Sequence, residues 1–156
     1  MKKIFMETTA ISPNKSVSEI QYLLAEYGAS AILIEYEEGG IRAVSFKYST
    51  NGQETPYRIP CQWQEIKGLL ERKHKRKPYK KNLEYEAKMI AWRQARRWVE
   101  AQLAFLQAKQ AKFEQLFLSH RLVGPNETLY ERLEVLKFNL PMISYKKEKE
   151  ENHDIP

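Results

Sequence analysis

The chain has 156 residues with a formal net charge of +6, and 42% of them are hydrophobic. This length and composition suit a single folded domain and exclude a disordered tail. The one cysteine, Cys61, excludes a disulfide within the chain and a cysteine-based metal cage, and it is typical of a reducing, cytoplasmic location. No apolar run approaches the roughly 18 residues that cross a bilayer, so we expect no membrane partner.

The N-terminal half predicts a strand, a helix and a small antiparallel sheet. Residues 2–11 are predicted as a first strand. Ser16 and Glu19 have the spacing of a capping box that begins a helix, and Gly28 supplies the left-handed stop. Three strands rich in β-branched and aromatic residues are predicted next, at residues 29–36, 41–48 and 57–59.

Turn-forming residues indicate how the last two of these strands are arranged. Asn51 and Gly52 both tolerate a positive φ and together predict a tight hairpin. Pro56 and Pro60 bracket the third strand. Because proline cannot donate to a strand ladder, we expect this strand to be brief and to lie at an edge of the sheet.

Helices are predicted for most of the remaining chain. Apolar residues recur at helical spacing over residues 62–73, and Asn82 can cap a long second helix. The apolar pattern that follows is longer than a usual globular helix, so we expect a bend or a break near residues 107–109. Thr128 and Glu131 form a second capping box, which opens a last short helix.

This order of elements predicts an α+β fold. The expected architecture is a short antiparallel sheet of three or four strands with helices on one face, followed by a long C-terminal helix. The predicted organisation is a body over residues 1–73, a basic linker over 74–82, a helical extension packed on the body over 83–138, and a flexible tail over 139–156.

Positive charge is concentrated in residues 72–81, which we call the basic block. The block holds seven Lys or Arg side chains and no acid, so the other residues together carry a net charge of −1. Clustered cations of this kind favour phosphate backbones, because each neutralised phosphate releases condensed counterions. The alternatives are another acidic partner and a hydrated linker that stays outside the core. The predicted contact residues are Arg72, Lys73, Lys75, Arg76, Lys77, Tyr79, Lys80 and Lys81.

Three arginines on the long helix could extend this basic surface. Arg93 and Arg97 lie four residues apart and share a helix face, and Arg96 lies beside them. We predict that all three contact nucleic acid. The alternative interpretation is a solvated polar face, on which Glu100 pairs with Arg96 or Arg97.

The tryptophans leave two functions open. Trp63, Trp92 and Trp98 could stack on bases, but their positions on apolar stripes favour the core. The first hypothesis is therefore a nucleic-acid-binding protein that uses its basic residues. The alternative is a protein-binding adaptor or inhibitor whose long helix presents Trp92 or Trp98, or pairs with a second copy of the chain.

The residues predict no enzyme. His74, His120 and His153 are scattered, and the sequence has neither a glycine-rich phosphate loop nor a nucleophile elbow. The motif of Glu65 and Lys67 is used by some metal-dependent nucleases, but here it falls on a predicted helix and no Asp precedes it. We therefore expect no catalytic residue, no metal site and no cofactor.

Two resemblances accompany these patterns. The helix-strand-strand-strand-helix order from residue 16 to 73 resembles the double-stranded RNA-binding domain, although the acidic loop at Glu37 and Glu38 departs from that family, and no binding residue is carried over. The segments VSFKYSTNGQETPYRIP and AWRQARRWVEAQLAFL resemble small uncharacterised proteins of phages and mobile elements. This second resemblance implies an accessory role in a mobile genome.

Overall fold

The computed structural model describes residues 2–75 and 82–140, and over these residues it has the predicted α+β fold. The elements in chain order are α1 (Pro13–Glu26), β1 (Ala29–Glu37), β2 (Gly40–Thr50), β3 (Gln53–Pro60), α2 (Gln64–His74), α3 (Leu83–Gln107), α4 (Phe113–Phe117), a 3-10 turn (Leu118–His120), β4 (Leu122–Gly124), β5 (Glu127–Thr128) and α5 (Leu129–Val135). Most of the predicted tail, residues 141–156, lies outside the described part of the chain.

Strands β1, β2 and β3 form an antiparallel sheet in that order. The predicted hairpin at Asn51 and Gly52 is confirmed, with φ values of 52° and 78° at these two residues. Strand β3 lies at an edge as predicted. It is longer than the predicted residues 57–59, since it has eight residues and includes both Pro56 and Pro60. An edge strand accommodates proline since half of its N–H groups need no partner in the ladder.

The N-terminal segment differs from the prediction. Residues 5–8 form a turn and no strand is present over residues 2–11. Helix α1 begins at Pro13, and the Ser12 hydroxyl caps it by accepting a hydrogen bond from the Lys15 N–H. A proline at the first helical position favours this earlier start. Ser16 is therefore buried inside the helix, and Glu19 is available to another partner.

One core joins the sheet to the helices on one of its faces. Helix α1 and helix α3 both pack there, and α4 closes the side next to the β2–β3 hairpin. The prediction that Trp92 belongs to the core is confirmed, since its side chain is fully buried. The other members of this core are Val17, Ile20, Leu24, Ile41, Val44, Phe46, Tyr57, Ile59, Val99, Leu103, Phe113 and Phe117.

The long helix begins and ends where the pattern predicts. The Asn82 side chain accepts hydrogen bonds from the N–H groups of Glu84 and Tyr85. Helix α3 ends at Gln107, and the chain reverses through Lys109, whose φ is 57°. The reversal brings Phe113 into a parallel stack with Tyr48, with ring centroids 3.7 Å apart.

Beyond α4, a small hairpin of β4 and β5 precedes the last helix, and the sequence patterns did not predict this hairpin. The capping box of Thr128 and Glu131 is confirmed at the start of α5. Among the described helices, none combines the length and the apolar character needed to cross a membrane.

Candidate nucleic-acid interface

The basic block begins on the last turn of α2. Arg72 and Lys75 are exposed, and within the described part of the chain no carboxylate forms an ion pair with either of them. Lys73 instead contacts the Glu7 carboxylate, and this hydrogen bond lowers the pKa of Glu7. The other predicted contact residues of the block, Arg76, Lys77, Tyr79, Lys80 and Lys81, lie outside the described residues.

The position of the block at a helix end also has a structural consequence. Arg72, Lys73 and His74 occupy the last turn of α2, where the carbonyl end of a helix carries partial negative charge. The positive charges of Arg72 and Lys73 stabilise the helix at this end. The contact between Lys73 and Glu7 ties the N-terminal segment to α2, and Gln94 holds the same segment by donating to the Phe5 carbonyl at 2.8 Å.

The arginines of α3 do not form one exposed surface. Arg93 is 7% exposed, so the expectation that it faces solvent is wrong. Its Nη1 lies 2.7 Å from Oε2 of Glu19 on α1, and the Nε of Arg96 lies 2.8 Å from the same oxygen. Helix α1 packs beside this part of α3, and the carboxylate between the helices pairs with both cations.

The pKa of Glu19 reflects this arrangement. Partial burial by itself raises the pKa of a carboxyl, but the hydrogen bonds and charges of Arg93 and Arg96 outweigh that effect, and the pKa of Glu19 is lowered. The glutamate is therefore ionised at neutral pH and compensates the buried guanidinium.

Only Arg97 among the three is exposed, and it too has an acidic neighbour. Its Nη1 lies 3.1 Å from Oε2 of Glu100, which Arg96 also contacts. This agrees with the alternative interpretation that Glu100 pairs with the arginines. Two glutamates thus face three arginines, and most of the positive charge that α3 could add to a basic surface is compensated.

A further charged cluster lies on the outer face of the sheet, opposite the helices. Glu35 accepts two hydrogen bonds from Arg58, at 3.0 and 3.1 Å, and one each from Arg42 and Ser45. The hydrogen bond from Arg58 contributes most to lowering the pKa of Glu35 to about 2. The sequence analysis placed residue 35 only near the end of the strand predicted at residues 29–36 and missed this cluster, which the cross-strand register brings together.

Within residues 2–75 and 82–140, no group of three or more His, Cys, Asp or Glu side chains is placed to hold a metal ion. Cys61 and His120 line one hollow of about 380 Å³ between β3, α2 and α3. Burial raises the pKa of the Cys61 thiol to about 12, so it stays protonated at neutral pH and is a poor nucleophile.

The tryptophans have packing roles. The Nζ of Lys88 lies 4.8 Å from the ring centroid of Trp63, in a cation–π contact. Trp98 meets Phe117 edge to face at 5.3 Å and His120 at 4.8 Å.

No protein-family model, curated protein or solved structure matches this chain significantly.

Proposed function

We propose that the chain is a non-enzymatic nucleic-acid-binding protein that contacts phosphates through the basic block. The observation that carries this proposal is the distribution of charge. Seven cations lie within ten residues, and the remainder of the chain has a net charge of −1. The resemblance to small phage and mobile-element proteins implies an accessory role in a mobile genome, and the single cysteine is consistent with a cytoplasmic location.

The ion pairs of the folded chain favour the basic block, and not the arginines of α3, as the nucleic-acid-binding site. On α3, Glu19 and Glu100 neutralise the arginines. At the end of α2, Arg72 and Lys75 project into solvent. Binding to a phosphate backbone is most favourable for cations that have no carboxylate partner. A cation that is already paired must first lose its interaction with the carboxylate.

Salt dependence is the most direct test. If five cations of the block engage phosphates, the slope of log K against log salt is roughly −4, so a fourfold rise in salt lowers the affinity about 250-fold. The measurement is a gel-shift titration at two salt concentrations, over single- and double-stranded DNA and RNA. We expect weak sequence selectivity, because phosphate contacts carry no sequence information.

A block variant and a matched control locate the contact. The block variant replaces Lys75, Arg76, Lys77, Lys80 and Lys81 with Gln. The control replaces five exposed lysines elsewhere, which are Lys2, Lys3, Lys15, Lys109 and Lys137. Both lose the same charge, but only the block variant should lose its affinity and its salt slope. Unchanged affinity in the block variant would overturn the proposal.

The alternative function, an adaptor or inhibitor that binds another protein through the long helix, has less support. Trp92 is fully buried, and Trp98 packs against Phe117, so α3 presents neither ring freely. Capture of a protein partner that survives nuclease and high salt, and that is lost in Trp98→Ala, would favour the alternative.

A further inference from the structure

The two edges of the three-stranded sheet differ. On the outer side of β3, Tyr57 forms a bridge with Arg121, and Pro56 and Pro60 remove N–H donors. On the outer side of β1, no strand within residues 2–75 and 82–140 is paired. The sequence of β1, ASAILIEYE, contains no Lys, Arg or Pro. Lys and Pro are common on protected edge strands, so their absence leaves the regular part of β1 able to pair with a further strand.

The regularly paired part of β1 is centred on Leu33. Shifts in its register with β2 occur between Ala29 and Ala31 and again between Glu35 and Tyr36. The unbroken run therefore covers residues 31–35, and Leu33 is its midpoint. Leu33 is 63% exposed on the outer face of the sheet, where it borders a shallow, mostly apolar hollow of about 180 Å³.

We infer that β1 pairs antiparallel with β1 of a second copy of this chain, with a two-fold axis at Leu33. The two sheets then join into one sheet of six strands. Leu33 lies opposite its own equivalent, Ile32 lies opposite Ile34, and Ala31 lies opposite Glu35. The interface satisfies the free backbone groups of both edges and brings two exposed leucines into contact.

The charges of the strand favour a second copy in this orientation. Both acids of β1, Glu35 and Glu37, lie toward its C-terminal end. Parallel, in-register pairing would place each acid beside its equivalent, which is destabilising. Antiparallel pairing about Leu33 instead places Ala31 and Ala29 opposite them. Ile32 and Ile34 face the helices, so their pairing extends the apolar core across the two-fold axis.

The test is the solution mass of charge variants at Leu33, measured by sedimentation equilibrium at low salt over a concentration series. We expect the native chain to approach twice 18.5 kDa. Leu33→Lys and Leu33→Glu should each remain at 18.5 kDa, because two like charges then face each other across the axis. An equimolar mixture of these two variants should regain the doubled mass, since opposite charges meet there.

A control and a second measurement keep the test decisive. Val135→Lys adds the same charge at a 77% exposed position on α5 and should leave the native mass unchanged. If a Leu33 variant fails to fold, amide hydrogen exchange on the native chain replaces it, and the amides of residues 31–35 should become slower as concentration rises. A native chain that stays monomeric, or a doubled mass that persists in Leu33→Lys, would overturn the inference. This inference is independent of nucleic-acid binding.

Discussion

Two groups of basic residues in this chain illustrate how differently the same side chains can be used. The arginines of α3 lie among glutamates of their own helix and of α1, and Arg93 is almost fully buried. At the start of the basic block, Arg72 and Lys75 face solvent at the end of α2 and form no ion pair within the described part of the chain, whereas Lys73 contacts Glu7. Residue type alone does not identify a binding surface. The charge that remains uncompensated after folding does.

The largest expected effect concerns a third group, in which Arg42 and Arg58 bind Glu35. Folding lowers the pKa of Glu35 from 4.5 to about 2. A lowered carboxyl pKa contributes stability that is fully present above the unfolded value and is lost as the pH falls toward the folded value. We expect this group to contribute up to about 3 kcal/mol, lost between about pH 5 and pH 2.

Urea unfolding at several pH values measures this contribution. Glu35→Gln should remove most of the extra acid sensitivity of the native chain, because its amide does not titrate. Glu54→Gln, at an exposed position of β3, serves as the control and should keep the native acid sensitivity. Identical acid sensitivity in the native chain and in Glu35→Gln would show that Glu35 is not the responsible group.

The second prediction concerns the stability that the arginines of α3 gain from their acidic partners. Glu19→Gln leaves Arg93 buried without a compensating charge, so we expect a loss of about 2 kcal/mol in the free energy of unfolding. Glu26→Gln removes the same charge from an exposed position of α1 and should change stability by less than about 0.5 kcal/mol. Equal effects in the two variants would argue that the pairing with Arg93 has no structural importance.

The smallest expected effect is the change in the salt slope of nucleic-acid binding when a single cation is removed from the block or from α3. Arg72→Gln should reduce the magnitude of the salt slope of nucleic-acid binding by roughly 1, because one phosphate contact is lost. Arg97→Gln should leave the slope unchanged, since Glu100 already compensates Arg97. The gel-shift titration described above measures both. A larger loss in Arg97→Gln than in Arg72→Gln would move the interface from the block to α3.

Several elements were predictable because their signals are local. The hairpin at Asn51 and Gly52 follows from two residues that accept positive φ, and the cap at Asn82 follows from one side chain that accepts from the N–H groups two and three residues further along. The end of α3 near Lys109 was expected because the apolar pattern is longer than one helix. Each of these features depends on residues only a few positions apart.

Two other predictions were wrong, each for its own reason. Ser16 and Glu19 have the spacing of a capping box, but Ser12 and Pro13 form a start one turn earlier. Residues 2–11 have strand-like composition, but they pair with no strand of the sheet, so no strand forms there. The prediction for the block residues 76–81 concerns a segment outside the described residues, so it stays a prediction.

By itself, the sequence determined the α+β class, the caps of α3 and α5, the two-residue hairpin and the concentration of charge at residues 72–81, because each depends on local conformation or on composition. Only the tertiary structure decided which cations are compensated. Glu19 and Arg93 lie 74 positions apart and meet because α1 and α3 pack on the same sheet. An ion pair at that separation depends on the packing of whole elements, which spacing along the chain does not encode.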